Sequence, residues 1–133
     1  MREVTSQAMA DDFARRFAAY WSKPTLDGLA GLLREDVRLA APLTPTTEGL
    51  ADGRQTIGGL LELMPDITGT VHRWGPHPDG LFIEFTLAGT LNGSQVAWRA
   101  VDSFELDGDG MARERVSYFD PTPILARANG ATQ

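Results

Sequence analysis

Asp102 is the one ionisable residue on its face of the strand-like run Val96–Leu106, where alternate positions are Val96, Trp98, Ala100, Asp102, Phe104 and Leu106. Successive strand residues point to opposite sides, so a single carboxyl stands among aromatic and aliphatic neighbours. If that face is the core, the acid is desolvated and its pKa rises, by as much as ~3–5 units at full burial. A carboxyl held neutral in this way suits a proton donor or a general acid/base. The competing structural role is a buried Asp satisfied by a backbone amide or an arginine.

Arg115 and Ser117 lie two apart on the last strand-like run and so point the same way, toward the expected cavity face that carries Asp102. If Arg115 pairs with Asp102, the acid stays ionised with a depressed pKa, and the pair is structural or anion-orienting. If it does not, Asp102 is neutral and can donate. A register slip of one residue would turn Arg115 and Ser117 outward and bring Glu114 and Val116 inward. His72, in Thr70-Val-His-Arg-Trp74, could act as an acid/base near neutral pH from the cavity mouth, although a lone strand histidine is more often solvated or core. His77 reads as an exposed turn residue. Asp107-Gly-Asp-Gly110 lacks the further ligands and terminal Glu of a calcium loop and reads as a hairpin turn. Asp120, before Pro121, reads as a turn or cap. Tyr20 can bring a hydroxyl to the pocket.

The elements that must position these groups are legible from periodicity. Gln7 to Trp21 carries Met9, Phe13, Phe17 and Tyr20/Trp21 at helical spacing, with Thr5 or Ser6 as N-cap and Pro24 as stop. A second helix is expected over Leu26 to Arg34, with Thr25 as cap, then a short strand Val37–Ala41 and a Pro/Thr-rich loop from Pro42 to Gly49. A third helix is expected from Asp52, which with Gln55 resembles a capping box, to Met64. Beyond it, strands over Thr68–Gly75, Leu81–Leu91, Ser94–Leu106 and Met111–Phe119 alternate with turn signals, among them Asn92-Gly93. Four strands joined by short turns make an antiparallel meander. Helices segregated before it give an α+β domain whose curved sheet wraps around three N-terminal helices and encloses an apolar pocket. A short helical turn is expected from Pro123.

Composition bounds the rest. The chain has 133 residues, 42% hydrophobic and 23% charged, the size of one domain with one core. That domain is expected to span 1–133, with a core of about 7–127 and a tail, 128–133, that frays. There is no Cys, which excludes disulfides and thiolate chemistry, and with two His a zinc site is not expected. The net charge of −6 argues against nucleic-acid or anionic-membrane partners. No apolar run is long enough to span a bilayer, and the first residues lack a secretory signal's apolar stretch, so a cytoplasmic location is expected.

The order of helix hairpin, strand, third helix and meander is carried by Leu26-Asp-Gly-Leu29 with Leu33-Arg-Glu-Asp-Val37, the Gly49-to-Ile57 stretch, Val101–Leu106 and Glu114–Asp120. It resembles the SnoaL-like proteins of the nuclear-transport-factor-like superfamily, from about Phe13 to Ala126. That superfamily includes ketosteroid isomerases, limonene epoxide hydrolases, polyketide cyclases and binding-only members, so the fold does not fix the function. The resemblance places Asp102 at the isomerases' protonated oxyanion-hole acid. It places their general base on Ala41 and their first-helix Tyr on Phe17. The epoxide hydrolases' Asp-Arg-Asp set falls on Phe85, Leu87 and Ser117, and the cyclases' acid/base on Ser117 as well. No complete set is therefore expected. The expected pocket lining is Phe13, Phe17, Tyr20 and Trp21, with Ala41, Leu61 and Met64, and Phe85, Leu87 and Trp98 from the sheet.

The expected function is a cofactor-free enzyme of isomerase, cyclase, dehydratase or hydrolase type. It would act on a hydrophobic, cyclic or polyketide-like small molecule by acid/base chemistry with Asp102, helped by Ser117, Arg115 and His72. The alternative is a non-catalytic ligand-binding or dimerisation module. The outer sheet face, with Ala97, Arg99, Val101, Ser103 and Glu105 beside Glu84, Thr86 and Ala88, is expected to form a homodimer.

Overall fold

The computed structural model describes residues 4–128; all but the first residue of the tail expected to fray lies outside them. Helix α1, Gln7–Ser22, starts where Ser6 Oγ accepts the Met9 N–H at 3.1 Å, a side-chain N-cap. Its buried face is Phe13, Phe17, Tyr20 and Trp21, with Ala10 and Ala14 beneath them. The Phe13 ring lies 4.7 Å from that of Phe104, and Phe17 lies 5.0 Å from Phe85 and 5.6 Å from Phe104. This aromatic contact seats α1 on the sheet. Gly69 allows the close approach at one end, since a Cβ there would stand 2.8 Å from Trp21 Cβ.

The second expected helix is not formed. Thr25 Oγ1 does accept the Gly28 N–H at 3.0 Å, but only a 3₁₀ segment, Asp27–Gly31, follows. Gly28 and Gly31 each disfavour continuation as an α-helix. The chain is extended again from Leu33, so strand β1 runs Leu33–Ala41 rather than starting at Val37. The expected loop contains strand β2, Thr44–Glu48, which pairs antiparallel with β1. It is an edge strand, where the missing N–H of Pro45 is tolerated. Helix α2, Leu50–Leu63, begins two residues before Asp52, with Gly49 at φ 103 as N-cap and no side-chain capping bond. Asp52 thus sits in the first helical turn instead of capping it, where its charge suits the helix dipole.

Strands β3 (Thr68–His77), β4 (Gly80–Leu91), β5 (Ser94–Leu106) and β6 (Ala112–Phe119) form the meander. Asn92 and Gly93, at φ 52 and 79, make the β4–β5 connection with the positive angles of a type I′ turn. Asp107 Oδ1 accepts the N–H groups of Asp109 and Met111, both at 2.9 Å, which closes the β5–β6 turn. The six strands run β2-β1-β6-β5-β4-β3, with β1 and β6 parallel and the other neighbours antiparallel. The sheet is curved and unclosed, and the fold is α+β. Two α-helices, not three, precede the meander; the third, α3 (Thr122–Ala128), follows it. Among the described residues no helix is long and apolar enough to cross a membrane.

Candidate functional site

The register decides which side chains meet. Asp102 lies opposite Ile83 on β4 and Ser117 on β6, while Phe104 lies opposite Arg115. Arg115 and Ser117 therefore share the helix-covered face with Asp102, and Glu114 does not. Arg115 is the diagonal cross-strand neighbour of Asp102, about 7–8 Å away at the backbone and within reach of a long side chain. On β1, Leu39 is paired with Arg115 and extends the same face.

Asp102, Phe104, Arg115 and Leu39, but not Ser117, border a cavity of about 50 Å³ between the helices and the β1, β5 and β6 part of the sheet. Its polar lining is Asp102, Arg115, Thr56 and the Tyr20 ring with its hydroxyl; the remainder is apolar. Asp102 is 2% exposed, and its Oδ1 has no hydrogen-bond partner. Burial pushes its carboxyl above the ordinary carboxylate range. The positive charge of Arg115 and, after it, the hydroxyl of Ser117 pull the other way and offset only part of that rise. Among the described ion pairs none includes Arg115, and its Nε is buried without a hydrogen-bond partner. Desolvation thus outweighs attraction, and Asp102 holds its proton to higher pH than a solvated Asp. Tyr20 is tied elsewhere: its hydroxyl donates to the Thr25 carbonyl at 2.9 Å, and burial pushes its pKa up to about 12. It remains neutral and supplies the cavity with a ring more than a free hydroxyl.

Of the expected lining, Phe17, Tyr20 and Trp21 do border the cavity. Phe13, Met64, Phe85, Leu87 and Trp98 are instead buried in the core. The aromatic stripe of α1 packs directly on β4 and β5, and Trp98 stacks toward Phe119 with centroids 6.3 Å apart, so that end of the sheet's concave side is filled. Leu61 is half-buried on α2 and packs against the core, and Ala41 is half-buried at the end of β1. His72 does not flank the cavity. It is exposed on the far side of the sheet, where Nε2 meets Thr86 Oγ1 at 2.7 Å. Strand alternation explains this, since its neighbour Val71 is the residue that packs against the core. His77 is half-buried, with Nε2 3.2 Å from Ser103 Oγ. Asp120 accepts the Thr122 N–H at 3.0 Å and caps α3. Among the described residues no three His, Asp or Glu side chains are gathered to hold a metal ion.

The walls that sequence reasoning missed are Leu29, Leu32, Leu33, Leu39 and Phe104, with Gly53, Thr56 and Ile57 of α2. The α2 trio had a usable signal, because residues three and four apart share a helix face. Gly53 packs closely on β1: a Cβ there would stand 2.9 Å from Leu39 Cδ1, the end of a side chain that can shift to admit it.

Solved structures with this fold include AclR, a proposed hydroxylase from Streptomyces galilaeus. It is 20% identical with a TM-score of 0.78, over 96% of this chain and 85% of that one. A proposed SnoaL-like polyketide cyclase from Jannaschia sp. CCS1 is 16% identical with a TM-score of 0.79, over 96% and 97%. An LEH-like epoxide hydrolase from M. tuberculosis is 17% identical with a TM-score of 0.73, over 92% and 91%. At these identities the likeness is one of fold. No curated protein matches this chain. The SnoaL-like domain model matches residues 14–115, from α1 to β6, which takes in every wall of the cavity; the chain belongs to the SnoaL-like domain family.

Proposed function

We propose that this domain is a cofactor-free small-molecule enzyme, of isomerase, cyclase, dehydratase or hydrolase type, in which Asp102 supplies the acid. One observation carries the reading: a buried carboxyl with an unpartnered oxygen borders a largely apolar cavity. A neutral Asp102 donates a hydrogen bond to a substrate carbonyl. That bond strengthens as negative charge develops on the oxygen in the transition state. Arg115, beside it, stabilises the same charge. Removing one such donor from an oxyanion site lowers kcat by about 10²–10³. The folds of a proposed hydroxylase, a polyketide cyclase and an epoxide hydrolase accord with a substrate of apolar, cyclic or polyketide-like character.

The size of the cavity favours a second reading, a non-catalytic binding or dimerisation module. About 50 Å³ is far below the ~300–1,000 Å³ typical of ligand sites. A large substrate therefore needs one wall to move, and α2 is a lightly anchored wall, with Leu50 and Gly53 as its buried residues. Turnover of cyclic ketones and polyketide-derived aldehydes by the wild type and by Asp102→Asn separates the two readings. Loss of about 10²-fold or more in kcat by a folded variant supports catalysis. Undiminished turnover in that variant refutes the role of Asp102, and no turnover of any member of the series by the wild type favours the binding module.

The homodimer also belongs to this reading. The sheet face opposite the helices carries Phe82 and Tyr118, 47% and 59% exposed, beside a ladder in which Arg99 and Arg73 pair with Glu84 at 3.1 and 2.6 Å. Apolar side chains among already paired charges suit burial against a second copy.

A further inference from the structure

Two residues that line the cavity each carry a buried polar atom with no hydrogen-bond partner: Nε–H of Arg115 and Oδ1 of Asp102. We propose that the cavity's ligand is a small organic anion, a carboxylate or acidic enol on a compact apolar body, whose oxygens are received by the Arg115 guanidinium and the Asp102 carboxyl. The proposal rests on the cavity being the ligand site and adds the chemical class of what enters it.

Three features point to a negative charge. Arg115 is a permanent cation and has no ion-pair partner among the described residues, although its Nε is removed from water. Asp102 forms no ion pair with it among the described residues, and burial raises the acid's pKa in spite of the nearby guanidinium. Apart from Thr56 and Tyr20, which are neutral, the rest of the lining is apolar, with Leu29, Leu39, Ile57, Phe17 and Phe104 among it, so no protein group there completes the charge. A neutral carbonyl compound would satisfy one donor. A carboxylate satisfies two at once: it accepts the charge-assisted bond from Arg115 and the O–H of Asp102. An ammonium ligand would face the guanidinium unscreened and be repelled. The apolar walls then take the rest of the molecule, and the volume, about that of a few water molecules, limits it to a short branched chain unless α2 gives way.

Binding is then linked to a proton. Only the protonated form of Asp102 donates to the anion, so affinity is constant below the Asp102 pKa of the free protein and falls about tenfold per pH unit above it. The groups that face Asp102 are few. Arg115 and Ser117 come from β6, Tyr20 from α1, Thr56 and Ile57 from α2, Leu39 from β1 and Ile83 from β4. Arg115 keeps its charge throughout, and Tyr20 with a pKa of about 12 stays neutral, so Asp102 alone sets the profile.

The test is titration of the whole protein with isobutyrate, isobutyramide and isobutylamine, followed by calorimetry and by ligand-observed NMR between about pH 6 and 9. Isobutyrate should bind at least about tenfold more tightly than the amide, the amine should not bind, and the calorimetric heat should be independent of buffer below the Asp102 pKa and vary with buffer above it, as up to one proton is taken up. Arg115→Met should erase the preference for the anion. Arg115→Lys, which keeps the charge if the Met variant does not fold, should retain part of it. Asp102→Asn should keep the anion preference but lose the pH dependence. Equal binding of acid and amide, or a preference for the amine, overturns the inference even if Asp102→Asn abolishes turnover. The converse result, anion binding as described with turnover untouched by Asp102→Asn, leaves the ligand class standing and removes the acid/base role.

Discussion

Replacing Asp102 by Asn should make stability less sensitive to pH, in a direction set by where the proton sits. Burial raises the Asp102 carboxyl above its ordinary value of 3.8. Below about pH 4 the folded and unfolded chains both hold that proton, and its contribution to stability is complete. Above it, the unfolded chain releases the proton while the folded chain keeps it, until the pH passes the higher folded-state pKa. Each pH unit in that window removes about 1.4 kcal/mol from the wild type, and beyond it the loss levels off. Asn carries no such proton. The variant should therefore gain on the wild type by that slope as the pH rises from about 4, whatever fixed difference the amide introduces. Asp11, Asp66 and Asp120 are held below the usual carboxylate range by hydrogen bonds from Trp74, Thr90 and Thr122. They titrate alike in both proteins and cancel in the comparison. Urea unfolding between about pH 4 and 8, followed by the fluorescence of Trp21, Trp74 and Trp98, measures the gap. Its thermal counterpart is roughly 5 °C in Tm per pH unit for a chain of this length. A gap that does not change with pH shows that the Asp102 pKa is the same in the folded and unfolded chains. A gap in which the wild type gains on the variant as pH rises shows Asp102 ionised in the fold and held by Arg115.

Two further outcomes can be checked independently. Phe17→Ala removes a ring that packs on both Phe85 and Phe104 and also borders the cavity, so it should destabilise by about 3–5 kcal/mol in urea titrations; a loss under about 1 kcal/mol would mean that the aromatic stack is not what seats α1. Light scattering at micromolar concentration should give the mass of a dimer for the wild type and of a monomer for the double variant Phe82→Glu, Tyr118→Glu; a wild-type monomer removes the sheet-face interface.

The hairpins and the α1 stripe were legible because their signals are local. Asn92-Gly93 requires positive φ at both positions, and Phe13, Phe17 and Trp21 repeat at the helical period. The segment after Pro24 misled for a related reason: its leucines keep a helical spacing, but Gly28 and Gly31 weaken the helix and strand pairing with β6 claims the chain from Leu33. Strand β2 carried no signal of its own, since an edge strand of Thr and Pro exists only because β1 offers it hydrogen bonds. His72 was misplaced because its side depends on which face of β3 meets the helices, and that is settled by the partner strand.

By itself the amino-acid order determined the periodicities, the turns, and the isolation of one carboxyl on an apolar strand face, all of which follow from residue type and spacing over a few positions. Only the tertiary structure decided what that carboxyl is. The β5–β6 register put Arg115 and Ser117 beside Asp102. The packing of α1 filled one end of the sheet's concave side and left a small cavity at the other. The depth of burial set desolvation above the pull of Arg115. Charge state is a property of the surroundings, and the surroundings of Asp102 come from strands and helices that are distant in the chain.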